Sequence, residues 1–333
     1  MLYKNKEYDL PNGRVNIRML VVKKSVLKTT VYYDCLDYPL TQEELEVFSF
    51  EDGDEQEIGY LIEEAQGFYF LKGRKNLIGV RKEKNKIAKK KWQKALKAIR
   101  WLRLVPYIKL VFASGSLALS NTDKESDLDV LLVAKHGRIW LTRFLTVLLL
   151  GFLGMRRKRH QRVAPDKICL NHFITDESLY IPRKSIYTAQ LYAHLVPILV
   201  DDKKLIDEFC EANKWVGEYV AGWPECVLTN SKRRIANNRF LKLIRKIGEK
   251  ILDTKFGDWV ESTLKKYQLR RINSYHLTYK PGGRVKADDE SLEFHPDSPE
   301  LKIIENYNKK MIEFGFPELG KEVDSGLLHN GLA

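Results

Sequence analysis

Cysteine is scarce: four residues, at positions 35, 169, 210 and 226, are scattered over a chain of 333. No two of them have the short spacing of a metal knuckle and their neighbours are mostly apolar. Reduced thiols are therefore expected, not disulfides or a zinc site. Long apolar runs are missing as well. The strongest, Phe144 to Met155, is bounded by Arg143 and falls short of the roughly 20 residues needed to cross a bilayer. The stretch from Met1 to Glu7 is polar and carries no signal-peptide pattern, so a cytoplasmic location is expected. There is no internal repeat and no low-complexity tract, which excludes solenoids and linker-like chains. Acids are outnumbered: 44 Asp and Glu against 57 Lys and Arg leave a net charge of +13. That excess favours encounter with anionic partners (nucleotides, nucleic acid or a membrane surface) and says nothing about fold. What is present, 44% hydrophobic residues, is enough to bury a core, and the length allows two or three domains.

The most informative stretch runs from Ile108 to Val133. An apolar run, Ile108 to Ala113, ends in Ser114, Gly115 and Ser116. A polar stretch from Ser120 to Ser126 has turn chemistry. Asp127, Leu128 and Asp129 then open a second apolar run that ends at Val133. Short apolar runs bounded by turn residues read as buried strands. Alternation along the second strand projects Asp127 and Asp129 together while Leu128 and Val130 pack behind them. Two carboxylates on one face at a strand mouth suit a hard divalent cation better than a core. A glycine directly after a strand lets backbone amides approach a phosphate closely.

Gly115-Ser116, ten intervening residues, and Asp127-x-Asp129 between apolar runs resemble the nucleotidyltransferase superfamily of DNA polymerase β type, over roughly Tyr107 to Thr175. The resemblance implies an α/β (α+β) core with a mixed sheet. It implies that Asp127 and Asp129 hold one or two Mg²⁺ (or Mn²⁺) ions and are the catalytic carboxylates. Gly115, Ser116 and Ser126 would bind the nucleotide. It further implies transfer of a nucleoside monophosphate from a nucleoside triphosphate to an acceptor hydroxyl on RNA, DNA or a small molecule, with release of pyrophosphate. In the superfamily a third carboxylate often stands on the next strand, read here as Ile168 to Ile174. The matching positions carry Asn171 and His172. An amide oxygen can ligate a cation but cannot take a proton, whereas a histidine can serve as a base. Asp166 and Asp176 flank the strand and are the other acids within reach. The alternative reading is a degenerate, non-catalytic version of the same fold that senses nucleotide or binds nucleic acid.

Around this core three regions are expected: 1–83, 84–180 and 181–333. In the first, helices are predicted over Val26 to Tyr33, from a capping box at Thr41, and from Asp54 to a stop at Gly67. A hairpin of Phe68–Leu71 with Leu77–Val80 and a basic tip at Lys72 to Asn76 would follow. Together they resemble a winged helix. Its third helix, Glu55 to Glu64, is acidic and would repel phosphates in the usual groove-reading pose. A long helix from Lys84 to Arg103, with Trp92, Ala95, Leu96, Ile99 and Leu102 on one face, links this region to the core. Ile139 to Met155 reads as a buried helix, followed by a basic cluster, Arg156 to Arg162, suited to a polyphosphate, RNA or lipid heads. The third region reads as mainly helical, with Thr188–Leu199, Lys204–Tyr219, Ser231–Ile251 and Leu301–Phe314 as helices and Tyr279–Glu290 as a turn-rich loop. Basic and aromatic residues interleave from Lys265 to Tyr279, a composition that can stack bases.

Overall fold

The computed structural model describes residues 2–10, 13–21, 23–50, 61–158, 161, 163–230, 233–235, 239–276, 283–296 and 298–317. The first region, from which composition alone predicts no element before Lys23, opens on an antiparallel hairpin, β1 (Leu2–Leu10) with β2 (Gly13–Val21). Next come α1 (Lys24–Asp34), the two-residue β3 (Leu40–Thr41), α2 (Gln42–Phe48), β4 (Ile62–Ala65) and β5 (Phe68–Leu71). The capping box is formed: Thr41 Oγ1 accepts from the Glu44 N–H at 3.2 Å, and the Thr41 N–H donates to Glu44 Oε2 at 2.9 Å.

The third helix and the wing differ from expectation. Residues 51–60 lie outside the described residues, and from Ile62 the chain is a strand, not a helix. The hairpin pairs β4 with β5, its tip being Gln66 and Gly67 at φ 54° and 77°. Two successive left-handed residues make the turn whose twist matches antiparallel strands, so Gly67 closes a hairpin and caps no helix. Leu77–Val80 is the first turn of α3 (Leu77–Trp101), which starts before the predicted Lys84. Its buried residues, among them Ile78, Arg81, Ala88, Trp92, Ala95 and Ile99, follow helical spacing and face the core.

The central sheet has six strands in the order β10-β11-β8-β7-β6-β9. In chain order its elements are β6 (Ile108–Ala113), α4 (Gly115–Ala118), β7 (Leu128–Ala134), α5 (Ile139–Phe152), β8 (Ile168–Thr175), α6 (Ile186–Ala193) and β9 (Val196–Val200). After them come α7 (Lys204–Ala212), α8 (Glu225–Leu228), α9 (Arg239–Leu252), α10 (Lys255–Asn273), β10 (Arg284–Ala287), β11 (Ser291–His295) and α11 (Glu300–Glu313). Among the described strands of this sheet only β7 and β8 pair in parallel, α5 making the crossover; the other described pairs are antiparallel. The sheet is therefore mixed. Leu128, Val130 and Leu132 pack on one face against α3 and α5. Leu131 and Val133 pack on the other against α6 and α7.

The region after Ile181 supplies three of these strands, which a mainly helical reading misses. The predicted Thr188–Leu199 helix ends at Ala193, and Val196–Val200 is the edge strand beside β6. Pro197 explains the switch: it lacks the N–H that a helix interior needs, whereas an edge strand tolerates it. Lys204–Tyr219 breaks at Ala212 into a short 3-10 turn, Lys214–Glu218. The expected Tyr279–Glu290 loop contains β10, and residues 279–282 of it lie outside the described residues. Parts of the Ser231–Ile251 stretch, residues 231–232 and 236–238, do too. No helix among the described residues is long and apolar enough to cross a membrane.

Candidate functional site

Gly115 and Asp129 define the site. β6 ends at Ala113, and the Ser114 N–H donates to the Asp129 carbonyl at 3.0 Å, tying the turn to β7. Gly115 has φ +63°, and a Cβ on it would lie 2.7 Å from Asp129 Oδ2. Glycine is needed here twice, for the left-handed backbone and for the missing side chain. It also opens α4, whose first-turn N–H groups have no partner within the helix.

The loop between α4 and β7 is held from outside. Ser126 Oγ accepts from the Asp123 N–H at 3.0 Å, so this hydroxyl shapes the loop. Lys91 of α3, buried at 3% exposure, donates to the carbonyls of Lys124 and Ser126 and pairs with Asp166 Oδ1 at 3.0 Å. Sequence reading assigns Trp92, Ala95, Leu96, Ile99 and Leu102 to the packed face of this helix and misses Lys91. Its spacing carries the signal, since it lies between Ala88 and Ala95 on the apolar stripe.

β8 completes the constellation. In the parallel register Asp129 faces Cys169, and one further pair along, Leu131 faces His172. β8 therefore has an extra residue between those pairs, a bulge that plain alternation cannot foresee. Ligand atoms of Asp127, Asp129 and Cys169 lie within 4.8 Å of one another. Asn171 Nδ2 donates to Asp129 Oδ1 at 2.7 Å. His172 is instead buried at 8% exposure with its Nδ1 3.4 Å from Tyr192 Oη, and Glu293 stands across from it on β11. Its pKa is lowered, chiefly by burial. Neither flanking acid joins the pair: Asp166 is engaged by Lys91 and Lys94, and Asp176 accepts from the His136 N–H at 2.7 Å. Of the two third-acid candidates, Asn171 is at the site and His172 is not.

Charge organises what remains. Burial, then the adjacent Asp127 charge, raises the Asp129 carboxyl to about 7. Burial, then Asp129 and Asp127, pushes the Cys169 thiol upward, so it stays protonated and is a poor ligand for a hard cation. Arg157, from the basic cluster, sets Nη1 2.6 Å from Asp127 Oδ2 and 3.9 Å from Cys169 Sγ. Burial alone would lower the Arg157 pKa; the Asp127 charge overrides it and raises it. The same basic segment lines a cavity of about 270 Å³ bounded by Gly151, Gly154, Arg156, Lys158, Gln161 and Lys167. Two carboxylates, one cation beside them and a glycine turn form an arrangement that can bind a metal–phosphate group. No family model, curated protein or solved structure matches the chain.

Proposed function

We propose that the chain is a metal-dependent nucleotidyltransferase, moving a nucleoside monophosphate from a nucleoside triphosphate to an acceptor hydroxyl. The observation that carries this reading is the convergence of Gly115, Asp127 and Asp129 on one strand mouth, with no room at Gly115 for a side chain. The donor set fits Mg²⁺ or Mn²⁺. One or two carboxylates are the usual protein share of such a site, and phosphate oxygens and water fill the rest. Asp127 and Asp129 would hold the ion, which when bound neutralises the charge that develops on the transferred phosphate. The α4 amides at Gly115 and Ser116, with the Ser116 hydroxyl, would orient the β and γ phosphates. Ser126 would act by shaping the loop that carries Asp127. Arg157, paired with Asp127 at 2.6 Å, would be the cation at hand to meet the phosphates.

A specific observation also favours a second reading. Arg157, Asn171 and Cys169 surround the two aspartates where a third acid would stand, which suits a nucleotide sensor without turnover. The two readings separate in one experiment. Asp127→Ala and Asp129→Ala, compared with wild type, are assayed for Mg²⁺-dependent transfer from a panel of labelled nucleotides and for nucleotide binding by calorimetry. Transfer by wild type that both variants lose supports the enzyme. Binding without pyrophosphate release supports the sensor, and transfer unchanged in both variants overturns the site.

The N-terminal unit, α1, β3, α2 and then β4 with β5, is proposed to be a winged-helix-like scaffold. Its hairpin tip, Gln66 and Gly67, has a single ammonium beside it, Lys82 donating to Gln66 Oε1 at 2.5 Å, and not a run of cations, so a protein contact fits it better than a phosphate backbone. Salt-sensitive duplex binding that survives Asp127→Ala would reverse that preference.

A further inference from the structure

α9 carries three distinct faces, and the apolar one points outward. Phe240, Leu243, Ile244, Ile247 and Ile251 fall in one stripe about 100° wide at helical spacing. All five are exposed, from 40% at Ile244 to 67% at Phe240. The helix cannot roll to bury them, because polar contacts fix its opposite face. Arg245, 4% exposed, donates to the Ile108 carbonyl at 3.2 Å and pairs with Asp201 at 2.8 Å. Glu249 accepts from the Tyr107 N–H at 3.0 Å, and Gly248 packs beside Pro106. The joint to α10 is equally fixed, since a Cβ on Gly257 would sit 1.8 Å from the Leu252 carbonyl oxygen. Immediately past that joint Phe256 and Trp259, 57% and 63% exposed, stack with centroids 6.0 Å apart.

The third face is basic. Arg239, Lys246 and Lys250 lie along one flank of the apolar stripe, while Lys242 pairs with Asp201 at 3.5 Å and the single acid of α9, Glu249, is on the packed face. A stripe of large apolar side chains bordered by cations of one sign, with aromatics at one end, is the composition of a helix that lies in a membrane interface. A second copy laid antiparallel and face to face would bring two basic flanks together. A nucleic acid would leave the isoleucines unburied.

We infer that α9 and the first turn of α10 form an interfacial anchor for an anionic lipid surface. The apolar stripe enters the headgroup boundary while Arg239, Lys246 and Lys250 meet lipid phosphates. This does not depend on the nucleotidyl-transfer reading.

Flotation of the full chain with phosphatidylcholine vesicles, with and without phosphatidylglycerol, tests it. Wild type should float with the anionic vesicles alone and be released by high salt. Leu243→Ser with Ile247→Ser, and separately Lys246→Glu with Lys250→Glu, should each lower vesicle binding about tenfold. All four side chains are exposed, so the thermal unfolding midpoint should stay unchanged. Wild type that floats with neither vesicle overturns the inference. So does a Leu243→Ser, Ile247→Ser variant that floats as wild type does, or one that instead dissolves a wild-type dimer.

Discussion

Gly115 sits so close to the Asp129 carboxylate that a Cβ on the glycine would lie 2.7 Å from Asp129 Oδ2. Gly115→Ala must therefore move the carboxylate or the turn, and it also places an alanine at φ +63°. The expected cost is about 1–2 kcal/mol of stability from the left-handed backbone alone. Mn²⁺ affinity should fall by about tenfold as Asp129 is pushed from its position. Urea unfolding and Mn²⁺ titration read the two effects separately. Unchanged Mn²⁺ binding beside the lost stability would show that Asp129 is not a ligand.

Arg157 occupies the side of Asp127 where a divalent cation would bind, with Nη1 2.6 Å from Oδ2. With Asp127 a metal ligand, as proposed, the two would compete for one carboxylate. Arg157→Ala should tighten binding of Mn²⁺ alone severalfold and weaken binding of the Mn²⁺–nucleoside triphosphate complex, because no guanidinium is then left to meet the phosphates. The stability change should stay under about 1 kcal/mol, since Arg157 is 35% exposed and solvent screens the pair. Calorimetry with the metal and with the metal–nucleotide complex gives both numbers. Weaker binding of the bare metal would mean that Arg157 positions Asp127 and does not compete for it.

Local signals in the sequence expose the heart of this arrangement and miss its surroundings. β6, the glycine turn and β7 are legible because short apolar runs bracket turn residues, and Thr41 is legible because a capping box is local. Partners brought by distant segments are not. Arg157 reaches Asp127 across 30 positions, Lys91 reaches the Ser126 carbonyl across 35, and the β8 bulge depends on pairing with β7. β9 is lost for a different reason. The apolar pattern from Thr188 to Leu199 fits a helix by period, and only Pro197 argues otherwise. β10 and β11 do alternate polar and apolar residues, Arg-Val-Lys-Ala and Ser-Leu-Glu-Phe-His, but each run is short and lies amid charged turn residues, so the antiparallel edge they form is easily read as loop.

Arg81 joins α3 to the N-terminal unit. Its Nη1 donates to the Pro39 carbonyl at 2.7 Å, its Nη2 pairs with Glu44 Oε1 at 2.6 Å, and its guanidinium lies 3.5 Å from the Tyr38 ring centroid. With Arg81 6% exposed and Glu44 22%, removing one partner strands a charge in a poorly solvated place. Arg81→Ala should cost about 3 kcal/mol in urea unfolding. Arg81→Lys should recover less than half of it, because an ammonium cannot bridge both acceptors while stacking on the ring. Full recovery by lysine would reduce the role of Arg81 to its charge.

His194 is expected to make the protein sensitive to acid. Tyr33 Oη lies 2.7 Å from Gln190 Oε1 and 2.6 Å from His194 Nε2, an arrangement that fits a neutral imidazole donating to the phenol. The Phe48 ring, 3.9 Å away centroid to centroid, closes another side. Burial is the main cause that pushes the His194 pKa down to about 3, with Glu44 raising it slightly and Arg81 lowering it. The folded value is thus below the unfolded one of about 6.5. As pH falls the unfolded chain takes up this proton first, so the stability is complete above about pH 6.5 and drains away toward pH 3. Each pH unit in that window costs up to about 1.4 kcal/mol, or about 2 kcal/mol by pH 5. His194→Gln keeps a donor toward Tyr33 and cannot titrate. Urea unfolding of both proteins between about pH 7 and pH 5 should therefore show a shallower fall for the variant. Parallel curves would place the acid sensitivity elsewhere, with His295, half-buried and pushed down to about 3 chiefly by desolvation, as the next substitution to make.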